Sequence, residues 1–182
     1  MSAYLISPPE SPWGDYGEIL VHGMSTHLPR KNGLIQLERT GQFVPPISFP
    51  GIADVVVTDS FRTALEGSGL TGFTFQPLIK ARIVDLDWSA WDQQSSDPPV
   101  YPSSGEPEDY ILERPHSEEM AARIGDLWEV CLEAHDPVER VWETGIDWCC
   151  GRTELWLWVS ERAKDWLQRQ ADRWIAFEER LT

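Results

Sequence analysis

The sequence predicts a single α+β domain over 1–182: a mixed β-sheet with helices on one face, built partly from two strand-helix-strand units. Three observations point there. Val57-Thr58-Asp59-Ser60-Phe61-Arg62-Thr63-Ala64-Leu65 is matched in kind, 102 positions later, by Val159-Ser160-Glu161-Arg162-Ala163-Lys164-Asp165-Trp166-Leu167, and Phe75 falls opposite Phe177 at the same offset. Each copy opens on a β-compatible run that ends in a hydroxyl residue able to cap a helix. A chain of 182 residues is the length of one ordinary domain and needs no staples to bury its core. The units 53–86 and 154–179 are therefore expected to be alike.

Along the chain, Tyr4-Leu5-Ile6 reads as a first strand inside a stretch, 1–17, rich in Pro, Ser and Gly. Glu18-Ile19-Leu20-Val21-His22 and Leu34-Ile35-Gln36-Leu37-Glu38 read as two further strands, joined by a polar turn holding Pro29, Asn32 and Gly33. Phe43 to Gly51, with Pro45, Pro46 and Pro50, is not helix and reads as an extended connection.

The first unit opens on the β-branched run Val55-Val56-Val57. Thr58 caps the next helix, Asp59 complements its positive end, and Phe61, Ala64 and Leu65 share one face. Gly67 and Gly69 stop it, because glycine adopts the left-handed conformation without a Cβ penalty. Strands over Leu70–Phe75 and Leu78–Leu86 follow, and then 92–109 reads as a long surface loop.

Residues 117–135 read as an acidic amphipathic helix with Met120, Ile124, Leu127 and Cys131 along one stripe. A strand over Leu127–Leu132 is the alternative, since apolar side chains there also alternate imperfectly. Leu155-Trp156-Leu157-Trp158-Val159 is a strand, and Ser160 caps the last helix, whose apolar face is Ala163, Trp166, Leu167 and Ala171. Ile175-Ala176-Phe177 closes the second unit. Trp156, Trp158, Trp166 and Trp174 occupy positions that should face a core.

Charge narrows the choice of partner. The chain carries 15 basic and 30 acidic residues, a net charge of −15. Twelve of the acids fall within 106–143, against Arg114, Arg123 and Arg140. A field of this sign repels nucleic acid and anionic lipid and attracts a basic protein. The odd cysteine count, with Cys149 and Cys150 adjacent, argues for reduced thiols and a cytoplasmic protein. The amino terminus has no basic and apolar leader pattern, and no apolar run approaches the ~20 residues that span a bilayer.

Chemical motifs are weak by comparison. His22, His27, Cys149 and Cys150 supply four metal-ligating groups on paper, but adjacent cysteines rarely serve one structural zinc as separated pairs do. A Cys/His hydrolase would pair Cys149 or Cys150 with His22, His27, His116 or His135 and an acid such as Asp147, yet no flanking motif positions a nucleophile. Carboxylate pairs such as Glu118/Glu119 and Glu139/Glu143 follow from the excess of acids. Gly67-Ser68-Gly69 lacks the pattern of a dinucleotide or phosphate loop, so no cofactor is expected.

The repeated order, hydrophobic strand, Ser/Thr-Asp/Glu, aromatic or Ala, basic residue, Leu and returning strand, resembles a unit of the immunity proteins encoded beside bacterial polymorphic toxins, including contact-dependent and type VI secretion effectors. Residues 57–75 and 159–177 carry it; the Cys-x-x-Cys-Gly motif of one such group is absent. The resemblance implies a small cytosolic protein that binds one secreted toxin and blocks it, without chemistry of its own.

Joined to the acidity, it makes a toxin with a basic active-site cleft the expected partner. The expected contact surface is 92–143, through Glu118, Glu119, Trp128, Glu129, Glu133, Glu139, Trp142 and Glu143. A secretion adaptor or chaperone for an effector, and a small hydrolase, are the rival readings.

Overall fold

Each duplicated unit turns from strand to helix at a hydroxyl side chain. In the computed structural model, which describes residues 2–135 and 144–181, Thr58 Oγ1 accepts the Phe61 N–H at 3.3 Å and Ser160 Oγ accepts the Ala163 N–H at 3.1 Å. The first unit runs through β3 (Ile47–Gly51), β4 (Asp54–Thr58), α2 (Asp59–Glu66) and β5 (Phe73–Pro77). The second runs through β9 (Trp148–Gly151), β10 (Leu157–Ser160), α5 (Glu161–Ala171), a 3-10 turn at Asp172–Trp174, and β11 (Ala176–Leu181). Around them lie β1 (Ser2–Ser7), α1 (Asp15–His22), β2 (Gln36–Thr40), β6 (Ile79–Val84), α3 (Asp109–Leu112), α4 (Glu118–Arg123), β7 (Leu127–Leu132) and β8 (Ala134–His135).

The molecule is an α+β domain as expected, but among the described residues the strands form three sheets rather than one mixed sheet. Their orders are β11-β1-β10-β9-β8, β3-β4-β7-β5 and the parallel pair β2-β6. The reason lies in the units themselves: in each, a strand from elsewhere in the chain is inserted between the two strands that flank the helix. In the first unit β7 lies between β4 and β5, pairing Trp128 with Val57 and Val130 with Phe75. In the second, β1 lies between β10 and β11, pairing Tyr4 with Val159 and Ile6 with Phe177.

Registers therefore match position for position. Even the outer hairpin strands agree, since Ile47 pairs with Val57 as Trp148 pairs with Val159. The correspondence extends to side chains: the Arg62 guanidinium lies 4.6 Å over the Trp128 ring, and Lys164 Nζ lies 5.0 Å over the Tyr4 ring. The first strand of the chain thus completes the last unit.

Both units empty their apolar faces into one core. Val57, Phe61, Leu65 and Val130 from the first meet Tyr4, Trp148, Val159, Ala163 and Leu167 from the second, and Phe61 and Trp166 touch edge to face at 5.6 Å. Burying each aliphatic side chain of this kind stabilises the fold by about 1.5–3 kcal/mol. Helices α3 and α4 pack instead on β2 and β6, and α1 packs on both β2 and β3.

Because Ser160 Oγ also donates to Asp147 at 2.8 Å, the two caps are not equal. Thr58→Ala should lower stability by about 1 kcal/mol, and Ser160→Ala by distinctly more, since Asp147 loses a partner as well. Urea unfolding of both variants checks this; equal losses would contradict it.

Two segments depart from expectation. Glu18–His22 is the end of helix α1, not a strand: Asp15 and Glu18 lie in its first turn, and its last carbonyls are taken up by β2, Leu20 O by Thr40 Oγ1 and Val21 O by Arg39. The helix expected over 117–135 stops after Arg123, because Gly125 turns left-handed at φ 69 and the alternative strand forms over Leu127–Leu132. Phe43–Gly51 is extended as expected, and its second half pairs as β3. Residues 92–108 carry no helix or strand.

Candidate functional site

The hairpin tips of the two units each present exposed apolar side chains. In the first, Ile52-Ala53 turns the chain between Gly51 and Asp54, with Ala53 held at φ 60. In the second, Gly151 N–H bonds Trp156 O at 2.8 Å around a turn in which Leu155 has φ 57. A left-handed residue that is not glycine costs about 1–2 kcal/mol, so both tips keep a strained residue beside an apolar one.

Ile52 is 77% exposed, Leu155 47% and Trp156 45%; of the five large apolar side chains so exposed among the described residues, these three line one groove. Trp156 was expected to face the core. It does not, because the paired strand starts only at Leu157 and Trp156 belongs to the turn.

The groove consists of two adjoining cavities of about 700 and 430 Å³ that share Pro8, Phe49, Gly51 and Ile52. At one end the walls are apolar, formed by Leu5, Ile52, Leu155 and Trp156, with the Glu178–Arg180 ion pair at the rim. At the other end stand four exposed carboxylates: Asp15 and Glu18 from the first turn of α1, and Glu106 and Glu108 from the loop that leads into α3. None of the four has an ion-pair partner among the described residues, and no Lys, Arg or His lines that end. A narrow space lined by one sign of charge focuses its field and draws in cations.

Those sequence-derived contact residues that are described line neither cavity and are not brought together. Glu118 and Glu119 project from α4, Glu119 paired with Arg123 at 2.8 Å. Trp128 and Glu129 are successive residues of β7 and so point to opposite faces. The Trp128 indole donates to Asp59 at 2.9 Å beneath Arg62, which makes it part of the fold. Glu129 is buried at 6% exposure, its carboxylate held by Arg30 at 2.8 Å and by Gln76 at 2.8 Å. Glu133 meets His135 at 3.2 Å. Glu139, Trp142 and Glu143 lie outside the described residues. Among the described acids of the stretch 106–143, Glu106 and Glu108 reach the groove.

Ile52, Leu155 and Trp156 escaped the sequence reading. A large apolar residue in a two-residue turn, Gly51-Ile52-Ala53-Asp54, was the available signal, since turns favour polar residues and glycine.

The residues weighed for catalysis have structural partners. His27 Nδ1 lies 2.5 Å from Glu38, which is 1% exposed and also meets Arg82 at 3.2 Å. Together with Arg30, bridging Asp54 and Glu129, this ties the 24–34 loop to the sheets. Cys149 is wholly buried, and burial, with Cys150 beside it, pushes its thiol up to about 12, the opposite of an activated nucleophile.

Asp147 accepts from Ser160, Arg162 and the Thr71 N–H. Burial would raise its carboxyl; these donors outweigh that and hold it below the usual carboxylate range. Among the described residues no three His, Cys, Asp or Glu side chains gather as a metal site, and no helix is long and apolar enough to cross a membrane.

Comparison with protein-family models, curated proteins and solved structures finds no match to this chain.

Proposed function

We propose that this protein is an immunity protein that binds a cognate secreted bacterial toxin and occludes it, with the hairpin-tip groove as the contact surface. The observation that carries the reading is the joining, in one continuous groove, of exposed Ile52, Leu155 and Trp156 to the unpaired carboxylates Asp15, Glu18, Glu106 and Glu108. Interface hot spots are few, aromatic or aliphatic, and desolvated on binding, while rim charge sets the association rate. A toxin loop with an apolar tip and Lys or Arg beside it complements both ends. The duplicated unit adds the resemblance to immunity proteins, and the net charge of −15 fits a partner with a basic active-site cleft.

Growth of cells that express the toxin encoded next door tests it. The wild-type chain should restore growth and co-purify with the toxin. Ile52→Asp and Trp156→Ala should each weaken the complex about 30-fold or more, with folding intact because both side chains are exposed. Glu106→Lys with Glu108→Lys should slow association and flatten its salt dependence. Rescue unchanged by all of these would rule out the groove. Failure to rescue, with altered export of the effector instead, would favour a secretion adaptor.

A further inference from the structure

A strand at the edge of a sheet carries a row of backbone N–H and C=O groups that its one neighbour leaves unpaired. In this fold most such edges are closed. β8 is two residues long. β3 is covered along its outer side, where the Phe49 N–H donates to His22 Nδ1 at 3.3 Å and the Pro50 carbonyl accepts the Ser25 N–H at 2.9 Å. β2 exchanges both backbone bonds of Glu38 with Met24, at 2.8 and 3.0 Å, and β6 gives the Ile83 N–H to His116 at 2.9 Å and takes the Ser117 N–H at 2.7 Å. β5, the counterpart of β11 in the first unit, ends on Pro77, which has no N–H to offer.

β11 has none of these protections. It runs over Ala176–Leu181, six residues without proline, and pairs with β1 at six successive positions with no bulge. Among the described residues no backbone hydrogen bond leaves its other side, and Glu178, Glu179 and Arg180 are exposed. A regular strand of this length is a template for another strand.

What the edge accepts depends on its charges. A strand of a second copy joins antiparallel about a two-fold axis normal to the sheet, which keeps every side chain on its own face; the axis therefore passes through one residue of β11, and that residue meets itself. With the axis at Glu178 or Arg180, like charges meet at the centre and no opposite charges face each other. With the axis at Glu179, Glu178 of each copy faces Arg180 of the other. These two side chains already bond within the strand at 2.9 Å, so the four groups form a ring of alternating sign. Opposite charges across a strand pair stabilise it. Glu179 opposite itself is the like-charge contact that this register retains.

We propose that two copies of this chain join edge to edge through β11, antiparallel about Glu179, so that their five-stranded sheets run on as one, with reciprocal Glu178–Arg180 pairs across the junction. The net charge of −15 on each copy opposes approach. At physiological salt that repulsion is screened beyond ~8 Å, whereas side chains on paired strands lie about 5 Å apart, so the close pairs outlast the long-range field. No toxin takes part, and this association stands apart from the role proposed for the groove.

Sedimentation of the full chain at about 0.15 M salt, from micromolar to millimolar concentration, tests this. The wild type should pass from monomer to dimer, and the β11 amides should gain protection from hydrogen exchange as it does. Glu178→Arg and Arg180→Glu should each weaken the dimer about tenfold or more, and the two together should restore it, because the pairs re-form with their signs exchanged. Glu179→Gln, which removes the like charges at the axis, should tighten it several-fold. All three positions are exposed, so each variant keeps its fold. A chain that stays monomeric over the whole range overturns the proposal. So does a dimer whose β11 amides exchange as fast as the monomer's, or a double variant no tighter than the single ones.

Discussion

Gly72→Ala is expected to cost the fold about 3 kcal/mol or more. Gly72 has φ 97, a left-handed conformation that side chains resist, and a Cβ there would lie 2.1 Å from the Trp148 carbonyl oxygen and 2.5 Å from Ile146 Cγ2. The oxygen belongs to a backbone already committed on both sides. Thr71 O accepts the N–H groups of Asp147 and Trp148, each at 3.1 Å, and the Thr71 N–H donates to Asp147 at 3.0 Å. This is the seam between the two units, where β5 begins beside β9, so relief of the clash must move one unit against the other and disturb their shared core. Gly69→Ala supplies the control: φ is 74, but nothing lies within 4 Å of its added Cβ. It should cost about 1 kcal/mol, the conformational part alone. Equal losses for the two variants in urea unfolding would refute the clash.

Acidification from pH 6.5 to 4 is expected to remove about 3 kcal/mol of stability through His22 alone. Burial first, and the nearby Arg39 charge second, bring the His22 pKa from 6.5 down to about 4. Between those two values the unfolded chain binds a proton that the folded chain refuses. The contribution is therefore complete above pH 6.5 and disappears as pH falls toward 4. Replacing His22 with glutamine, which carries no titratable proton, should flatten the wild-type slope of stability against pH in this window. Asp147 acts in a separate range: its folded pKa is depressed, so its contribution is lost only at pH values below the usual carboxylate range. An unfolding midpoint that keeps the same pH slope in His22→Gln would dismiss the buried imidazole as the cause.

The duplication was legible because it rests on local physics. A strand that ends in Thr58 or Ser160 must offer its side-chain oxygen to the next helix, and Phe61, Leu65, Ala163 and Leu167 must then share a face; spacing alone dictates this. The same is true of β4, α2, α5 and β11, which form where periodicity and capping agree. Glu18–His22 failed that reading because five apolar-rich residues fit either period. Arg39 and Thr40, distant in the chain, settle it by bonding the helix carbonyls. Leu127–Leu132 likewise needed β4 and β5 on either side to become a strand.

The candidate site divides in the same way. Sequence by itself determined the α+β class, the paired units, the net charge of −15 and the acidity around Glu106 and Glu108, since these depend on residues close together in the chain or on simple sums. Only the tertiary structure decided that Glu129 is buried against Arg30, that Trp128 covers a helix start, and that Ile52, Leu155 and Trp156 come out at one groove. Those outcomes depend on which strands insert between which, a choice made by the packing of β1 and β7 into units far from them in sequence. Local pattern states what a residue prefers; long-range pairing determines what stands opposite it, and exposure and partnership follow from that.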